Sequence, residues 1–413
     1  MIKLFSHITM VFFLMTSVLS AQKTEVCKTC EISTIARAVE KAKPFDTIEV
    51  RAGTYKEYNI GITKPLTITG KDNPVIDGEH KGEIITIQSD NVTLAGFTLV
   101  NVGTSYTTDY AAIRVVKSKD FNIRNNTLER LFFGIYLEKA RQGKVLNNTI
   151  KGDAVNEYNS GNGIQLWYSN NVEVSGNTVQ NVRDGIYLEF SDNIEIRNNK
   201  SIDNLRYGLH FMFSNHDTYT ENLFENNGAG VAVMFSKFIN MRDNTFRKNW
   251  GPSSYGLLLK EITDSELTRN TFESNTQGIR AEGVSRMTFT ENDFANNGYA
   301  VKIQGACYNN TFSRNNFLYN TFDLSYSGRI NENNFDRNYW SDYYGYDLNR
   351  DGTGDVPYRP VKLFSHMTNR IPEAIVLLRS TFTGLLDFSE KVTPVFTPPG
   401  LMDNAPEMKK IIW

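Results

Sequence analysis

The sequence has little cysteine and no excess of positive charge. Its 413 residues include three cysteines, which are too few for a disulfide framework. Lys and Arg total 44, and Asp and Glu total 46, so the formal net charge is −2. Nucleic-acid binders need clustered positive charge that displaces counterions from phosphates. The composition therefore excludes a disulfide-built scaffold and argues against a nucleic-acid-binding protein.

Long apolar runs are missing everywhere except at the start of the chain. Residues 1–21 combine one lysine, Lys3, with a short apolar core and small residues at Ser20 and Ala21, which is typical of a cleavable secretory signal. A retained membrane anchor is the alternative, but its uninterrupted apolar part is shorter than the roughly 20 residues that a span needs. We expect cleavage near Ala21 and an exported protein that meets a membrane only through a partner.

Asparagine, by contrast, is abundant. The chain has 44 Asn residues, and 39 of them lie between positions 101 and 350. Asn favours turns and left-handed backbone conformations over helix interiors. Hydrophobic residues make up 40% of the chain, which is enough for a large core. This composition predicts a repetitive β protein.

Two residue types repeat with one shared period. Glycines recur at intervals of 22, 23, 22, 26 and 22 residues, and asparagines at 22, 23, 22, 26, 22, 23 and 23. The glycines are Gly163, Gly185, Gly208, Gly230, Gly256 and Gly278, and the asparagines are Asn177, Asn199, Asn222, Asn244, Asn270, Asn292, Asn315 and Asn338. Because both series contain the same 26-residue interval, they indicate a solenoid of stacked coils.

The segments between these markers alternate apolar and polar residues, as in VEV at 172–174 and IEI at 194–196. A period of two predicts strands. A coil of 22–23 residues is too short for a strand plus a helix, and it suits three short strands and three turns. Connections between parallel strands are right-handed. The sequence thus predicts an all-β fold, a right-handed parallel β-helix of about a dozen coils over residues 46–338.

The ends of a solenoid need caps. Residues 22–45 are the predicted N-terminal cap, with an amphipathic helix over residues 32–43. The apolar face of that helix comprises Ile35, Ala36, Val39 and Ala42. The period is lost in residues 339–413, the predicted C-terminal loop and irregular strap. There we expect a short helix over residues 371–378 and an extended, Pro-rich tail beyond Pro394.

Alignment of the coils on their glycines sorts each following strand into columns. The inward column is Ile164, Ile186, Leu209, Val231, Leu257 and Ile279. By strand alternation, two columns face outward. The first is Gln165, Tyr187, His210, Ala232, Leu258 and Arg280, and the second, two residues further along each strand, is Trp167, Glu189, Met212, Met234 and Lys260. A corner column follows at Tyr168, Phe190, Phe213 and Phe235.

This outward strip is rich in aromatic and Met side chains, which suit a protein interface. The residues that we assign to partner docking are Trp167, Tyr187, Met212, Phe213, Met234 and Phe235. Two structural alternatives stay open. The corner rings could form an internal aromatic stack, and the insertion at residues 250–253 could cover Trp167 and the methionines.

Three sets of residues are candidate metal ligands. His210, Met212 and Met234 offer the imidazole and thioether groups that cuprous copper prefers. Cys27 and Cys30 form a C-x-x-C pair, which is either a small disulfide that braces the cap or a pair of thiol ligands. Cys307 is the third cysteine and has no other cysteine left to pair with. It falls in a strand-like stretch, so we expect a buried core thiol.

The third set follows the pattern D-x-N-x-D-G-x-G-D and suits calcium. Its residues are Asp347, Asn349, Asp351, Gly352 and Asp355. Oxygen ligands at positions one, three and five, with Gly at six for the sharp turn, are those of a calcium loop. Position twelve is Tyr358 rather than a bidentate Glu. The alternative is a tight, Gly-rich surface turn.

A polysaccharide lyase, hydrolase or epimerase is the rival function, because such enzymes also use parallel β-helices. They need two carboxylates, or Asp with Arg or Lys, that converge on one outward face. Asp184 and Glu189 are the candidates, and Trp167 with Tyr187 could stack a sugar. Outward columns that hold Ala and Met where further acids are needed argue against this class.

Several segments resemble the NosD family of nitrous oxide reductase maturation proteins. These are GLHFMFS at 208–214, GVAVMFS at 230–236, GLLLK at 256–260, DTIEVRAGTY at 46–55, VIDG at 75–78, NYW at 338–340 and DLNRDG at 347–352. The resemblance covers nearly the whole mature chain. The Met-Phe-Ser pairs and the Asn-Tyr-Trp block are more specific than the coil repeat, which many carbohydrate-active β-helices share.

The resemblance implies a periplasmic accessory protein of denitrification that is not an enzyme. Its implied partners are an ABC transporter with membrane subunit and ATPase, nitrous oxide reductase with its copper–sulfide centre, and a copper chaperone. It also makes a copper or persulfide relay the functional alternative for Cys27 and Cys30. The apolar C-terminal segment could pack back along the β-helix as a belt, or grip the membrane half of the transporter. The two are compatible, and the resemblance favours the second for the last residues.

Overall fold

The computed structural model describes residues 22–328, 331–378, 380–392 and 401–413. The predicted signal segment lies outside these described residues. The chain winds into a right-handed parallel β-helix, as predicted. A full coil contributes one strand to each of three parallel sheets, which contain 14, 13 and 12 strands. We call them the first, second and third sheet in the order in which a coil meets them.

Strands of the three sheets alternate along the chain. The first sheet comprises Lys23–Val26, Thr47–Val50, Thr67–Gly70, Thr93–Ala95, Asn122–Arg124, Lys144–Leu146, Glu173–Ser175, Glu195–Arg197, Thr218–Thr220, Asn240–Arg242, Glu266–Thr268, Thr288–Thr290, Cys307–Ser313 and Asn331–Asp336. The second comprises Thr54–Lys56, Val75–Asp77, Thr98–Val100, Thr127–Glu129, Thr149–Lys151, Thr178–Gln180, Lys200–Ile202, Leu223–Glu225, Thr245–Arg247, Thr271–Glu273, Asp293–Ala295, Asn316–Leu318 and Tyr339–Trp340. The third comprises Ile60–Ile62, Ile85–Ile87, Ala111–Val116, Phe133–Glu138, Ile164–Trp167, Asp184–Glu189, Tyr207–Met212, Ala229–Met234, Leu257–Lys260, Gln277–Glu282, Tyr299–Gln304 and Phe322–Ser327.

Apolar side chains at alternate strand positions fill the inside of the coils. The predicted inward column is confirmed, because its six aliphatic residues pair coil to coil and are buried. Stacked rings inside the second sheet, with centroid spacings of 4.6 to 5.4 Å, are Phe224, Phe246, Phe272, Phe294 and Phe317. Each fully buried side chain of this size stabilises the fold by about 1.5–3 kcal/mol, which drives the stacking of coils.

Asparagines stack into a buried ladder between the first and second sheets. At Asn199, the side-chain Nδ2 donates to Oδ1 of Asn222 at 3.0 Å and to the carbonyl of Val174 at 2.8 Å. The backbone N–H of Asn199 donates to the same Oδ1 at 2.9 Å. The ladder comprises Asn126, Asn148, Asn177, Asn199, Asn222, Asn244, Asn270, Asn292, Asn315 and Asn338. The periodic asparagines therefore satisfy buried turn amides.

A second asparagine ladder, which the sequence analysis missed, lies at the next corner. It comprises Asn204, Asn227, Asn249, Asn275, Asn297 and Asn320. Both ladders end on an aspartate. Asn320 donates to Asp323 at 3.2 Å, and Asn338 donates through its backbone N–H and Nδ2 to Asp403 at 2.9 and 3.1 Å. At the end of each ladder, a carboxylate therefore accepts the hydrogen bond that the Oδ1 atom of a further asparagine would have accepted.

The N-terminal end is closed by a strand and a short helix. The strand Lys23–Val26 pairs with Thr47–Val50, so the first sheet begins ahead of the predicted boundary at residue 46. Helix α1, Ile35–Lys41, buries Ile35, Ala38 and Val39. The predicted apolar face is wrong at Ala36, which is exposed because the buried face follows the spacing of Ile35, Ala38, Val39 and Ala42, and Ala36 lies beside that face.

The C-terminal end carries helices that the sequence analysis largely missed. The predicted helix over residues 371–378 is a 3₁₀-helix, Pro372–Leu377. It lies between helix α2, Leu363–Arg370, and helix α3, Thr381–Val392. Residues 401–413 then pack against the last coils, while residues 393–400, which contain the start of the predicted tail, lie outside the described chain. Across the described ranges no helix is long and apolar enough to span a bilayer.

Candidate docking surface

The outer face of the third sheet carries the columns predicted from the sequence. Parallel pairing aligns Tyr187 with His210, and His210 with Ala232. Two positions further, Met212 pairs with Met234 of the next coil. The predicted stacking of the two methionines is therefore present.

The His210 column is less exposed than its outward direction suggests. Its buried members are Gln165, His210, Ala232 and Leu258. Neighbouring side chains cover them, and Tyr255 packs with Ala232 and Leu258 in one small outer cluster. The insertion expected to cover this face thus contributes through Tyr255, while Trp250 itself points into solvent.

A buried ion pair lies beside His210. Asp184 accepts a hydrogen bond from Nε of Arg206 at 2.8 Å. The imidazole of His210 lies against the rings of Tyr187 and Tyr207, with centroids 5.0 and 4.7 Å apart, and its Nδ1 is 3.7 Å from Oδ2 of Asp184. Burial raises the pKa of Asp184, but His210 and Arg206 outweigh it and hold that pKa below its usual range. Asp184 is therefore a charged structural partner.

Asp184 and Glu189 do not form a hydrolytic pair. They are the first and last residues of the strand Asp184–Glu189, so their Cα atoms are roughly 16 Å apart at about 3.3 Å per residue. Glycosidase carboxyl groups lie roughly 5 to 9.5 Å apart. Burial and the neighbouring Glu189 also raise the pKa of Tyr187 to about 12, so its hydroxyl stays protonated at neutral pH.

The corner that follows the third sheet displays a ladder of four stacked rings. These are Tyr168, Phe190, Phe213 and Phe235, and we call them the aromatic ladder. Their centroids are 4.8, 5.1 and 5.1 Å apart, and their planes differ by 18° or less. The four side chains are 46, 38, 41 and 42% exposed. The internal aromatic stack considered from the sequence is therefore wrong for these rings, because the stack lies outside the coil.

All four residues of the aromatic ladder adopt left-handed backbone conformations, with φ of 50 to 54°. For residues other than Gly, Asn and Asp this region costs about 1–2 kcal/mol per residue. The corner after the second sheet shows the ordinary solution, since its left-handed residues include Asn181, Asp203, Asn226, Lys248, Ser274 and Asn296. That corner has one exposed ring, Tyr319, whereas the aromatic ladder has four in succession, whose stacking offsets part of the conformational cost.

A serine ladder fixes the backbone beneath the rings. Each serine that follows a ring is buried, and its Oγ accepts the backbone N–H of the residue at the same position one coil earlier. That residue is Ala140 for Ser169 and a serine for the others, as where the N–H of Ser191 donates to Ser214 at 3.1 Å. The series is Ser169, Ser191, Ser214 and Ser236. Each hydroxyl also donates to the carbonyl two residues before it. These hydrogen bonds therefore fix the backbone from which the rings project.

Other aromatic groups adjoin the ladder. Trp167, half-buried, meets Tyr168 edge to face at 4.8 Å. His216 and Phe238, which the sequence analysis missed, stack at 4.8 Å one turn beyond Phe213 and Phe235. The repeated spacing of the segments FSNH at 213–216 and FSKF at 235–238 is the signal that could have revealed them.

The cysteines are accounted for structurally. Cys27 and Cys30 form a disulfide, the alternative that braces the cap, and in that form they offer no thiolate. Cys307 is buried, and burial raises the pKa of its thiol.

The carboxylate oxygens of the predicted calcium loop accept hydrogen bonds from backbone N–H groups of the same loop. Asp347 accepts the backbone N–H groups of Arg350 and Gly352 at 2.6 and 2.9 Å, and Asp355 accepts that of Leu348 at 2.7 Å. Gly352 has a φ of 92°, as the turn requires. These hydrogen bonds form a tight turn, and no group of three His, Cys, Asp or Glu able to hold a metal ion occurs in the described ranges, so calcium binding here stays a prediction.

The C-terminal helices expose large apolar side chains. Those of α3 are Phe382, Leu385 and Phe388, and those before it include Ile371, Ile375, Val376 and Leu377. We call this set the C-terminal apolar surface. Helix α3 buries Thr383 while its phenylalanines face solvent, which is the reverse of an ordinary packed helix.

Comparisons with solved structures show the fold. A family 28 exopolygalacturonase of Yersinia enterocolitica superposes with a TM-score of 0.54 and 11% identity, over 76% of this chain and 78% of the enzyme. At that identity the likeness is one of architecture alone.

Sequence comparisons are more specific. A family profile described as periplasmic copper-binding protein (NosD) matches residues 146–345, and one described as a protein of unknown function, DUF1565, matches residues 26–237. Two relatives are named probable ABC transporter binding protein NosD. That of Pseudomonas aeruginosa is 31% identical over 90% of this chain and 92% of its own length, and that of Stutzerimonas stutzeri is 29% identical over 87% and 86%. The chain belongs to the NosD family.

Proposed function

We propose that this protein is a periplasmic docking factor that helps nitrous oxide reductase acquire its copper–sulfide centre, without catalysing a reaction itself. The aromatic ladder receives the reductase or a copper chaperone, and the C-terminal apolar surface binds an ABC transporter. The observation that carries the proposal is the aromatic ladder, four exposed rings held at costly left-handed positions.

The geometry of the ladder favours a protein over a sugar. A sugar stacks on the free face of an aromatic ring, but the faces inside the ladder are covered by neighbours 4.8 to 5.1 Å away. The ring edges are what solvent reaches. Such edges suit the aromatic and apolar side chains of a protein interface. This arrangement disfavours the rival role as a polysaccharide enzyme or carbohydrate binder.

The C-terminal apolar surface supports the transporter role. Leu385 and Phe388 are each 67% exposed and lie three residues apart on α3. Exposed apolar area of this kind is typical of a surface that a partner covers. The relatives are named for binding an ABC transporter. In the proposal the membrane subunit meets this surface, and the ATPase is reached only through that subunit.

Copper enters the proposal as cargo, not as a resident cofactor. Both ring nitrogens of His210 are buried, and within the described chain neither has a partner at hydrogen-bonding distance, although Nδ1 lies 3.7 Å from Asp184. Met212 lies two residues along the same face, and Met234 pairs with Met212. Imidazole and thioether are suitable groups for cuprous ion. These three residues fit transient copper binding better than Cys27 and Cys30, whose sulfurs are bonded to each other.

Substitution of the rings by asparagine tests the proposal. A host that reduces nitrous oxide and lacks its own maturation protein receives either this chain or the triple variant Phe190→Asn, Phe213→Asn, Phe235→Asn. Asn tolerates left-handed backbone, so the variant should fold while losing the apolar surface. We expect wild type to restore reductase activity and copper content, and the triple variant to restore less than a tenth of either.

Lys248→Asn is the matched control, because Lys248 has a φ of 56° at an exposed corner away from the ladder. This control should behave as wild type. Equal copper loading by the triple variant and wild type, with both exported and folded, would refute the docking role of the aromatic ladder.

A further inference from the structure

The aromatic ladder is one part of a longer column whose chemistry changes at both ends. Before the rings, the same corner position holds Lys117 and Lys139, with φ of 52 and 54°. After Phe235 it holds Glu261 and then Gly283, with φ of 54 and 64°. One inter-coil hydrogen bond places each neighbour, for example from the N–H of Phe235 to the carbonyl of Lys260. The column therefore runs from basic through aromatic to acidic.

An open groove begins where the rings stop. Gly283 and Gly305 have no side chains, and a Cβ added to Gly305 would meet no atom within 4 Å. Together with Glu261, Glu282 and Tyr308 they line a depression of about 500 Å³. The carboxylate of Glu261 leans over Gly283, where an added Cβ would clash with it. Glu261 thus follows the last ring, Phe235, in the column, and its carboxylate extends towards the groove.

The charges at the two ends have few partners of their own. Glu282 pairs with Arg280, but Glu261 has no cation within 4.0 Å in the described part of the chain. Lys139 lies with Nζ 5.0 Å from the centroid of Trp167 and has no carboxylate partner there. Both end residues are exposed, so each is available to an opposite charge on another molecule.

A guanidinium or ammonium group matches the acidic end best. It would pair with Glu261 beside the exposed edge of Phe235, and arginine combines contact with aromatic rings and ion pairing better than other side chains. A neutral or acidic group would leave the carboxylate desolvated and unpaired.

The length of the column sets the size of the occupant. Five coil steps separate Lys139 from Glu261, and at about 4.8 Å per step they span about 24 Å. An extended chain advances about 3.3 Å per residue, so about seven residues reach from one end to the other.

We propose that the aromatic ladder and its groove bind an extended segment of about seven residues from a partner protein. The segment carries Arg or Lys at the Glu261 end, apolar residues over the rings, and Asp or Glu at the Lys139 end. This inference rests on the proposed docking role and adds the orientation and chemistry of the docked segment.

Selection from a displayed library of random heptapeptides against the purified full chain tests the inference. We expect the enriched peptides to have a basic residue at one end and an apolar centre. They should bind Glu261→Gln at least tenfold more weakly than wild type, and should bind Glu266→Gln, an exposed acid on the first sheet, as wild type does. Enriched peptides without a basic residue, equal binding to Glu261→Gln, or no ladder-dependent binder would each overturn it.

The variant Glu261→Lys separates this inference from the proposed function in the maturation host. Lysine already occupies left-handed positions of this fold, as at Lys139 and Lys248, so the variant should fold. We expect at least a tenfold loss of copper loading. If Glu261→Lys loads copper normally and the triple Asn variant does not, the inferred basic segment is wrong and the docking role stands. If both variants load copper normally, the inferred segment and the docking role are both wrong.

Discussion

The residues at the corners of the coils can be divided into those that the fold requires and those that it does not. Where the corner after the second sheet turns left-handed, Asn, Asp and small or charged residues predominate, as at Asn181 and Asn226. The buried carboxyls Asp323 and Asp403 end the asparagine ladders. The rings of the aromatic ladder serve neither purpose, and they expose apolar area at an energetic cost. Residues with no structural explanation are those to which we assign function.

Asp323 should make the C-terminal end more stable in mild acid. Burial raises its pKa to about 6, although Lys362 and Asn320 lower it. Because the folded pKa lies above the unfolded one, the stabilisation is complete below the unfolded value near 4 and is lost as pH rises through 6. Two pKa units correspond to about 3 kcal/mol at most. Asp323→Asn should therefore raise the urea midpoint at pH 7 and flatten its change between pH 4 and 7.

Asp351→Asn is the control for this prediction. The Asp351 carboxyl is exposed, and the backbone N–H of Thr353 lowers its pKa, so its removal should not reproduce the effect. An unchanged pH slope in Asp323→Asn would show that its carboxyl is not the group that titrates.

At the scale of elements, the asparagine ladders link each coil to the next, because the short strands alone would hold neighbouring coils together only weakly. Each amide donates towards the C-terminal end, so every ladder leaves unsatisfied donors in its last coil. Asp403 accepts two of them, the N–H and Nδ2 of Asn338, and it also accepts a hydrogen bond from Nε1 of Trp340 at 3.0 Å. The segment 401–413 therefore acts as the cap that a solenoid end requires.

Removal of that carboxylate should loosen the last coils selectively. Asp403→Ala leaves three buried donors unpaired, at about 1–3 kcal/mol each. We expect amide hydrogen exchange to accelerate at least a hundredfold in the coils around Asn315 and Asn338, while the coils around Asn148 keep their protection. Asp403→Asn retains an acceptor oxygen and should lie between. Uniform protection in Asp403→Ala would contradict the capping role.

For the whole molecule, the β-helix separates two surfaces of different chemistry. The C-terminal apolar surface lies after the last coil, and the aromatic ladder lies on the middle coils between Tyr168 and Phe235. Rigid coils between them would keep a docked reductase or chaperone at a fixed place relative to a transporter. Such a scaffold needs no catalytic group.

Much of this architecture is predictable from sequence because period and register are local. Spacing alone predicts the coils, the inward column and the Met212–Met234 pair. The burial of His210 was not predictable from its column alone, since Tyr207 on its own strand packs against it and Tyr187 and Tyr255 come from other coils of the same face. The exposure of Phe190 and Phe213 stayed open in the sequence, because apolar rings at a corner fit a docking surface and an internal stack equally well. Helix α3 was missed although Phe382, Leu385 and Phe388 recur every three residues, and which way that apolar face points could not be read from the sequence.

The most direct test of the central claim is the affinity of the purified full chain for copper-depleted nitrous oxide reductase. Titration calorimetry should detect a complex with wild type and with Lys248→Asn. The triple variant Phe190→Asn, Phe213→Asn, Phe235→Asn should bind at least tenfold more weakly, a loss of about 1.4 kcal/mol or more. Equal affinities for the three proteins, or no complex with wild type, would contradict the account.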